Sequence, residues 1–247
     1  MSPEIGHTIV CIESTPSTNN YATSQVRDNE VEAGTVFLAY RQTAGRGQLS
    51  NVWESEAGKN LTFSVFLRPG FLDIRRQFML AKVVCLGLEA FLSEFTGQVT
   101  IKWPNDIYAG DRKICGVLIE NAIMHGQISQ SIVGIGVNIN QTRFLTDAPN
   151  PVSLKMLTGQ TYDTDELLTG LLQKISCFYR KLENGCYREL DEAFLQKLYR
   201  LNEWHTYRDE THEYTGRIIG LNEIGQLKIE EKGGLVREYH FKEVAYL

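Results

Sequence analysis

The chain has 247 residues, of which 43% are hydrophobic and 22% are charged, as in soluble globular proteins that bury a core. Its net charge of −5 argues against general nucleic-acid binding, for which a basic surface supplies much of the affinity. No apolar run approaches the roughly 20 residues of a membrane-spanning helix, and the N-terminus lacks a signal-peptide pattern, so we expect a cytoplasmic protein without membrane contact.

Short β patterns and one long helical pattern alternate over the first 140 residues. A Ser-Thr-Asn cluster at residues 17–19 has the composition of a helix start. A polar loop over residues 43–59 separates the second and third strands, and a turn at Gly110–Asp111 joins two strands into a hairpin. Strands are predicted over 7–13, 34–42, 60–69, 98–104 and 129–140, and a helix over 75–95.

The remaining residues change from helical to β patterns near residue 201. Apolar stripes predict helices over 165–183 and 187–201. The tail carries short β runs separated by Asn-Glu-Ile-Gly and Lys-Gly-Gly turns. We therefore predict an α+β domain over 1–201, with a mixed central sheet flanked by helices, and a small β-barrel domain over 202–247.

The five cysteines are scattered and include no CxxC pair. An odd, unpaired set predicts free thiols in a reducing compartment, most of them small residues of the core. The five histidines show no paired metal-ligand spacing, and neither a Walker motif nor a GxSxG motif is present. We therefore predict no permanent metal site and no nucleophilic triad.

The polar loop over residues 43–59 has two interpretations. Gly45 and Gly47 would let backbone N–H groups approach a ligand, and Arg46 offers a planar fork to a carboxylate or phosphate. Trp53 would serve as a stacking platform. The alternative is a solvated connection with one aromatic side chain held at the surface, since Gly-Arg-Gly alone is a weak motif.

A second candidate segment is KWPNDIYAGDRKICG, residues 102–116. Its proline interrupts the strand, so Asn105 and Asp106 would lie at a turn where side chains leave the sheet. Lys113 lies on the return strand, three residues before Gly116, where it could neutralise an anion. The alternative is an ordinary hairpin with a solvated polar turn.

Two further segments leave similar alternatives open. Gly134 and Gly136 alternate along a strand, which indicates close approach by a ligand or another backbone, and Asn138 could bind a base edge. Tight packing on a helix would explain the same glycines. The Ser-Thr-Asn cluster at 17–19 could bind a neutral polar ligand or could simply cap a helix.

The order of these motifs resembles that of the biotin protein ligases over residues 11–140. The motifs are STNNYA, QTAGRG with a following tryptophan, KWPNDIY with DRKICGVLIE, and GIGVNIN. The KWPND turn followed by a hairpin and RKxxG is the most diagnostic part. The resemblance implies a class II synthetase-like biotin/lipoyl ligase catalytic domain followed by an SH3-like β-barrel.

The resemblance also implies a two-step reaction with biotin and Mg-ATP as substrates. Biotin's carboxylate would attack the α-phosphate to give biotinyl-5′-AMP, and a lysine of a biotin carboxyl carrier domain would then accept the biotinyl group. Mg²⁺ would arrive with the nucleotide. A lipoate or octanoate protein ligase of the same fold is the rival interpretation, and the complete KWPND and DRKICG element argues against it.

Residue by residue, the resemblance assigns three sets of site residues. The catalytic set is Lys113, Arg46 and Asp106, with the role of Asp106 left open between acyl transfer and the metal region. The biotin-binding set is Ser17, Thr18, Asn19, Gln42, Gly45, Arg46, Gly47, Gln48, Lys113 and Gly116. The ATP- or adenylate-binding set is Arg46, Trp53, Asn105, Lys113 and Asn138, with Trp53 stacking on adenine.

The loop departs from the family's usual GRGRxGRxW, because this chain has GRGQLSNVW. Gln48 replaces the second arginine, Ser50 the later glycine and Asn51 the last arginine. Glutamine retains hydrogen bonding but loses the charge. We expect other contacts to retain the adenylate, because the Gly-Arg-Gly run and Trp53 are intact.

Some members of the family also repress transcription through an N-terminal helix-turn-helix. About a dozen residues precede the Ser-Thr-Asn cluster here, so we expect the short form of the family without DNA binding. The resemblance leaves open whether the protein is a homodimer and which carboxylase carrier it modifies.

Overall fold

A seven-stranded mixed sheet forms the centre of the molecule in the computed structural model, which describes residues 4–48, 51–145 and 150–247. Its strands are β1 (Ile9–Thr15), β2 (Val36–Gln42), β3 (Leu61–Leu67), β4 (Val99–Lys102), β5 (Asp106–Ala109), β6 (Arg112–Met124) and β7 (Gln127–Val137). The order across the sheet is β1-β2-β3-β7-β6-β5-β4. Strands β1 and β2 are parallel, whereas the other neighbours are antiparallel. The predicted mixed central sheet is confirmed.

Five α-helices and a short 3-10 turn (Ile74–Arg76) accompany the sheet in the described part of the chain. The helices are α1 (Thr18–Asp28), α2 (Phe78–Leu92), α3 (Leu154–Thr158), α4 (Thr164–Glu183) and α5 (Tyr187–Gln196). Helix α2 is buried along almost its whole length, because it packs between the sheet and helices α4 and α5. Gly87 allows α2 to approach α4 closely, because a Cβ at this position would lie 2.7 Å from the Cα of Ile175.

Helix α3 was not predicted. It has five residues, too few to show a helical period. Both ends of α3 nevertheless carry helix-capping residues. The Ser153 side chain accepts from the Met156 N–H, and Gly159 ends the helix at a φ of 75°. A search for caps as well as periodicity would have found this helix.

All seven residues of strand β3 are buried. The strand lies between β2 and β7, and helix α1 covers the face opposite the main core. The alternating Leu61, Phe63, Val65 and Leu67 therefore mark one covered face. The other face carries Ser64, which is fully buried and belongs to the site described below.

A second, antiparallel sheet of five strands follows α5. Its strands are β8 (Trp204–Arg208), β9 (Glu213–Leu221), β10 (Leu227–Glu231), β11 (Val236–Tyr239) and β12 (Ala245–Tyr246), in the order β11-β10-β9-β8-β12. This arrangement is consistent with the predicted SH3-like domain. The 201/202 boundary stays a prediction; it falls between α5 and β8.

The second sheet is joined to the first domain through one continuous apolar core. The Trp103 indole N–H donates to the carbonyl oxygen of Gly225 at 2.9 Å. The rings of Trp103 and Phe241 lie 5.2 Å apart between centroids, and the rings of Phe78 and Phe241 lie 6.0 Å apart. These contacts hold the turns that follow β9 and β11 against α2 and against the turn between β4 and β5.

The cysteines occupy different environments from those expected. Cys85 and Cys115 are buried, and burial raises the pKa of both thiols. Cys11 and Cys177 are exposed and Cys186 is half-buried, so the expectation that most cysteines belong to the core is wrong. All five are free thiols, as predicted. In the described ranges, no helix is long and apolar enough to cross a membrane.

Candidate active site

One cavity of about 230 Å³ brings most of the predicted site residues together. It lies over β6 and β7, between the start of α1, the polar loop, and the turn that joins β4 to β5. The predicted residues on its wall are Ser17, Thr18, Asn19, Gln42, Arg46, Gly47, Gln48, Trp53, Asn105, Asp106, Lys113 and Gly116. Gly45 and Asn138 are absent from the wall, and Ser50 lies outside the described residues.

A buried polar network forms one end of the cavity. The carbonyl oxygen of the Gln42 side chain accepts from the Thr18 N–H at 2.8 Å and from the Thr18 hydroxyl at 3.2 Å. The Ser64 hydroxyl lies 2.8 Å from the Thr18 hydroxyl and 2.6 Å from Asn19 Oδ1. These amide and hydroxyl groups are donors and acceptors of the kind that bind a neutral polar ligand.

Helix capping does not explain the Ser-Thr-Asn cluster. Ser17 is the N-cap residue of α1, yet its side chain makes no capping hydrogen bond. Ser17 is almost fully buried and lines the cavity. Its hydroxyl, which bonds to none of the described residues, remains available to a ligand there. Ligand binding by residues 17–19 stays a prediction.

Two glycines on adjacent strands form the floor of the cavity. Gly116 of β6 is paired with Gly136 of β7, and the Trp53 ring lies directly over both. A Cβ on Gly136 would come within 2.2 Å of the Trp53 ring, and a Cβ on Gly116 within 3.2 Å. The glycines thus permit close approach by the Trp53 side chain, whereas the alternation in β7 predicted approach by a ligand or another backbone.

Trp53 itself is fixed by backbone contacts within the loop. Its backbone N–H donates to the carbonyl oxygen of Gly45 at 2.9 Å. Arg46 and Val52 form an isolated antiparallel β-bridge. The indole N–H is buried without a hydrogen-bond partner among the described residues. An unpaired buried donor costs free energy, so the indole is suited to bind an acceptor on an incoming ligand. Stacking on adenine stays a prediction.

Arg46 is held by a carboxylate that sequence analysis did not select. Its guanidinium contacts both oxygens of Glu120, at 2.7 and 3.3 Å, and donates to Asn20 Oδ1 at 2.5 Å. The same carboxylate accepts from Asn19 Nδ2 at 2.8 Å. Glu120 therefore links the glycine-rich loop to the polar end of the cavity through two site residues.

Lys113 and Asp106 form an ion pair at the opposite end, with 2.7 Å between Nζ and Oδ1. Both side chains are about one quarter exposed. A β-bulge between β5 and β6 pairs Tyr108 with Lys113 and leaves Ile114 unpaired. The bulge changes the alternation, so that Lys113 lies beside Gly116: a Cβ on Gly116 would be 3.3 Å from Lys113 Cε. The Lys113 ammonium also lies 5.8 Å from the centre of the Trp53 ring.

Asn105 has a structural contact in addition to its place on the wall. It ends a turn that begins with the cis peptide between Trp103 and Pro104, and its Nδ2 donates to the carbonyl oxygen of Val117. The turn therefore fixes β5, which begins at Asp106, against β6. A second cavity of about 430 Å³ shares Gln48, Pro104, Asn105 and Val117 with the first.

Asn138 lies apart from the other predicted site residues. It follows β7 directly and is buried, with its Nδ2 donating to the carbonyl oxygen of Val152 at 3.1 Å. Its Oδ1 has no hydrogen-bond partner among the described residues. Buried acceptors are rarely unpaired, so this oxygen could bind a ligand amino group. Its role in adenylate binding stays a prediction.

Three site residues were missed by sequence analysis. Ser64 and Glu120 each left a signal, because Ser64 lies between Phe63 and Val65 and Glu120 directly follows the apolar run that ends at Ile119. Lys242 belongs to the C-terminal sheet region yet lines the cavity of the first domain. Nothing in its local sequence indicates that placement, which depends on how the two parts of the chain pack.

Several known proteins are similar to this chain in sequence. The model of the biotin/lipoate A/B protein ligase family matches residues 11–138. A bifunctional ligase/repressor of Bacillus spizizenii is 30% identical over 228 residues, covering 87% of this chain and 67% of that protein. A biotin–[acetyl-CoA-carboxylase] ligase of Paracoccus denitrificans is 28% identical, covering 80% of this chain and 84% of that protein.

The fold has a similarly extensive match among solved structures. A biotin protein ligase from Aquifex aeolicus, solved with biotin and ATP, has a TM-score of 0.80 and 29% identity. The match covers 97% of this chain and 98% of that one, so it includes both sheets. With the family model matched over more than half of its length, the chain belongs to the biotin/lipoate A/B protein ligase family.

Proposed function

We propose that the protein ligates biotin to a lysine of a biotin carboxyl carrier domain, through biotinyl-5′-AMP formed from biotin and ATP. One observation carries the proposal. A neutral polar network around Thr18, Asn19 and Gln42 and a cationic end with Lys113 share one glycine floor. Biotin has the matching chemistry, with a neutral ureido ring at one end and a carboxylate at the other.

The first step joins biotin to AMP. A carboxylate oxygen of biotin attacks the α-phosphorus of ATP, and the bond from phosphorus to the bridging oxygen of pyrophosphate breaks. Both reactants are anions, so cations are needed where they meet. Lys113 and Arg46 lie on the cavity wall and supply positive charge there. Mg²⁺ bound to the nucleotide supplies further charge neutralisation.

The second step transfers the biotinyl group. The amine of the carrier lysine attacks the acyl carbon, the carbon–oxygen bond to the phosphate breaks, and AMP leaves. The attacking nitrogen loses a proton as the amide forms. Asp106 pairs with the Lys113 ammonium at 2.7 Å and would hold this cation beside the acyl phosphate. We assign Asp106 this positioning role.

A transfer assay tests the proposal. Labelled biotin is incubated with the protein, a biotin carboxyl carrier domain and Mg-ATP, and label on the carrier lysine is measured with ATP left out as the control. We expect labelling that depends on ATP. The protein should also catalyse ATP–pyrophosphate exchange with biotin and not with lipoate. Exchange that depended on lipoate instead would replace this proposal by the lipoate ligase activity of the same fold.

Retention of biotinyl-AMP is a separate prediction, because Gln48 lacks the charge of the family's usual arginine. Two contacts still hold the loop. The Gly47 backbone N–H donates to the carbonyl oxygen of Asn51 at 2.7 Å, and Arg46 forms an ion pair with Glu120. We therefore expect slow release of labelled biotinyl-AMP from the wild type, and release about 10- to 100-fold faster from Arg46→Ala, which loses charge-assisted contacts.

Gln48→Arg provides the comparison, since it restores the usual charge. Its release rate should stay within about threefold of the wild type, because the remaining contacts of the loop are unchanged. Bystander lysines should gain little biotin in either protein. Rapid release from the wild type, slowed strongly by Gln48→Arg, would contradict the prediction and assign retention to the missing charge.

A further inference from the structure

Glu120 lies on the face of β6 that carries the floor of the active-site cavity. Side chains alternate along a strand, so Glu120 is on the same face as Gly116 and Leu118, which both line the cavity. Glu120 itself lies outside the cavity wall, but its carboxylate contacts Arg46 and Asn19, which belong to the wall. Any effect of Glu120 on a ligand in the cavity is therefore exerted through these two side chains.

The carboxylate fixes the side chain of Arg46 and, through it, the glycine-rich loop. The guanidinium donates to Glu120 Oε1 at 2.7 Å and to Oε2 at 3.3 Å. Contact with both oxygens of one carboxylate holds a guanidinium in a defined orientation. Arg46 lies between Gly45 and Gly47, and a glycine backbone has more conformational freedom than that of other residues. The side-chain contact therefore restrains a segment whose backbone is intrinsically flexible.

Asn19 depends on Glu120 less than Arg46 does. Its Nδ2 donates to Glu120 Oε2 at 2.8 Å and also to the Leu118 carbonyl oxygen at 3.3 Å. Its Oδ1 accepts from the Ser64 hydroxyl at 2.6 Å. These other partners lie on two different strands and would hold Asn19 if the carboxylate were removed. Loss of Glu120 would therefore fall mainly on Arg46.

Two effects of Glu120 on an anionic ligand oppose each other. The negative charge of the carboxylate weakens the binding of a carboxylate or phosphate near Arg46. The contacts with Arg46 order a long side chain in advance, which removes part of the entropy cost of binding. The Arg46 and Glu120 side chains are 41% and 38% exposed, so solvent and salt screen the repulsion. Ordering is not screened, so we expect positioning to outweigh repulsion.

On the basis of the proposed function, we infer that Glu120 is a positioning residue for the retention of biotinyl-AMP. It holds Arg46 at the cavity wall before the ligand binds, so the arginine contacts the adenylate without first being ordered. Gln48 lacks the charge that the family usually has at this position of the loop. Retention therefore depends on Arg46, and Arg46 in turn depends on Glu120.

Limited digestion with trypsin tests the ordering of Arg46 without ligand or activity. Trypsin cleaves after arginine, and an ordered segment must open locally before it is cleaved. Cleavage after Arg46, identified by mass spectrometry, should be about 3- to 10-fold faster in Glu120→Ala than in the wild type, because one long side chain is no longer held. Equal cleavage after Arg46 in the two folded proteins would overturn the inference.

The release rate of labelled biotinyl-AMP distinguishes positioning from repulsion. Release should be about 3- to 10-fold faster from Glu120→Ala, since the ordering of one long side chain accounts for a change of this size. Glu120→Gln keeps the length and one acceptor oxygen, so its release rate should lie between those of the wild type and Glu120→Ala. If Glu120 acted only by its charge, both substitutions would slow release, because a negative charge near an anionic ligand would be lost. Slower or unchanged release would overturn the inference.

A double-mutant cycle with Arg46→Ala locates the effect. In the Arg46→Ala protein, the further change Glu120→Ala should alter the release rate less than about twofold, because the side chain that Glu120 positions is absent. An effect that persisted in full would assign Glu120 to another partner, such as Asn19, and would contradict the inference. A purely structural role would also give additive effects, so the cycle separates it from positioning.

Glu230→Ala is the matched control. Glu230 also lies on a strand and pairs with an arginine, Arg217, but in the C-terminal sheet and away from the cavity. This variant should match the wild type in cleavage after Arg46 and in release of biotinyl-AMP. Thermal unfolding of all variants checks that they are folded, and loss of a half-exposed ion pair should change stability little.

The outcome is separable from that of the proposed function. If the wild type forms no biotinyl-AMP, the proposed function fails and the role of Glu120 in retention fails with it, whereas digestion still decides whether Glu120 orders Arg46. If the wild type forms biotinyl-AMP and Glu120→Ala releases it at the same rate, the ligase function stands and the positioning role is refuted.

Discussion

Lys113→Ala is expected to lower kcat/KM for biotin transfer by about 10²- to 10³-fold, the range found when one preorganised charge-stabilising group is removed from an active site. The ammonium lies 2.7 Å from the Asp106 carboxylate and beside Gly116 on the cavity floor. Its removal deletes a cation and leaves the Asp106 charge facing the anionic reactants. Both effects raise the barrier to adenylation, so biotin-dependent ATP–pyrophosphate exchange should fall together with transfer.

A second ion-paired lysine provides the control for this prediction. Lys228 lies on β10 and pairs with Glu238 at 3.4 Å, away from the cavity. Surface pairs of this kind contribute little to stability, so Lys228→Ala should retain wild-type transfer. Thermal unfolding of both variants checks that they are folded. Near-normal turnover by a folded Lys113→Ala protein would remove Lys113 from the catalytic set.

Gly134→Ala should raise the KM for biotin about 10- to 100-fold. A Cβ at this position would lie 2.2 Å from Asn19 Oδ1, well inside contact distance. The Asn19 side chain is almost fully buried and contacts both Ser64 and Glu120, so it cannot move without breaking the polar network. Overpacking of this kind costs about 1–3 kcal/mol. A loss of this size in the free energy of biotin binding corresponds to the increase of about 10- to 100-fold in KM.

The measurement for Gly134→Ala is the biotin dependence of exchange, supported by calorimetric titration with biotin. The KM for ATP should change much less, because Asn19 lies at the neutral end of the cavity. Gly97→Ala is the matched control, since no atom lies within 4 Å of a Cβ at Gly97. Unchanged biotin affinity in Gly134→Ala would show that the polar network around Asn19 does not bind biotin.

Local patterns in the sequence were sufficient for much of the architecture. Helical periodicity predicted α2, α4 and α5, and β runs bounded by glycine and polar turns predicted the sheet strands. Each of these elements depends on residues a few positions apart, so local sequence patterns are enough to predict it. The five-residue α3 was missed for the same reason, because its signals are two caps and not a period.

The residue types of the site were also determined by the sequence. The order of the polar, glycine-rich and hairpin motifs resembled one family, and that family membership is now shown. Twelve of the predicted site residues lie on one cavity wall. The motifs could be recognised because each one is contiguous in the chain, with its glycines, amides and cations at fixed local spacing.

The tertiary structure alone decided which of these groups act together. The bulge at Ile114 places Lys113 beside Gly116, whereas regular alternation would put residues three apart on opposite faces. Glu120 reaches Arg46 across 74 positions, and Lys242 enters the cavity from the other domain. Asn138 donates to the carbonyl oxygen of Val152, a contact that only the tertiary structure shows, and its place in the adenylate site stays a prediction. Such contacts follow from strand pairing and domain packing, which no local spacing specifies.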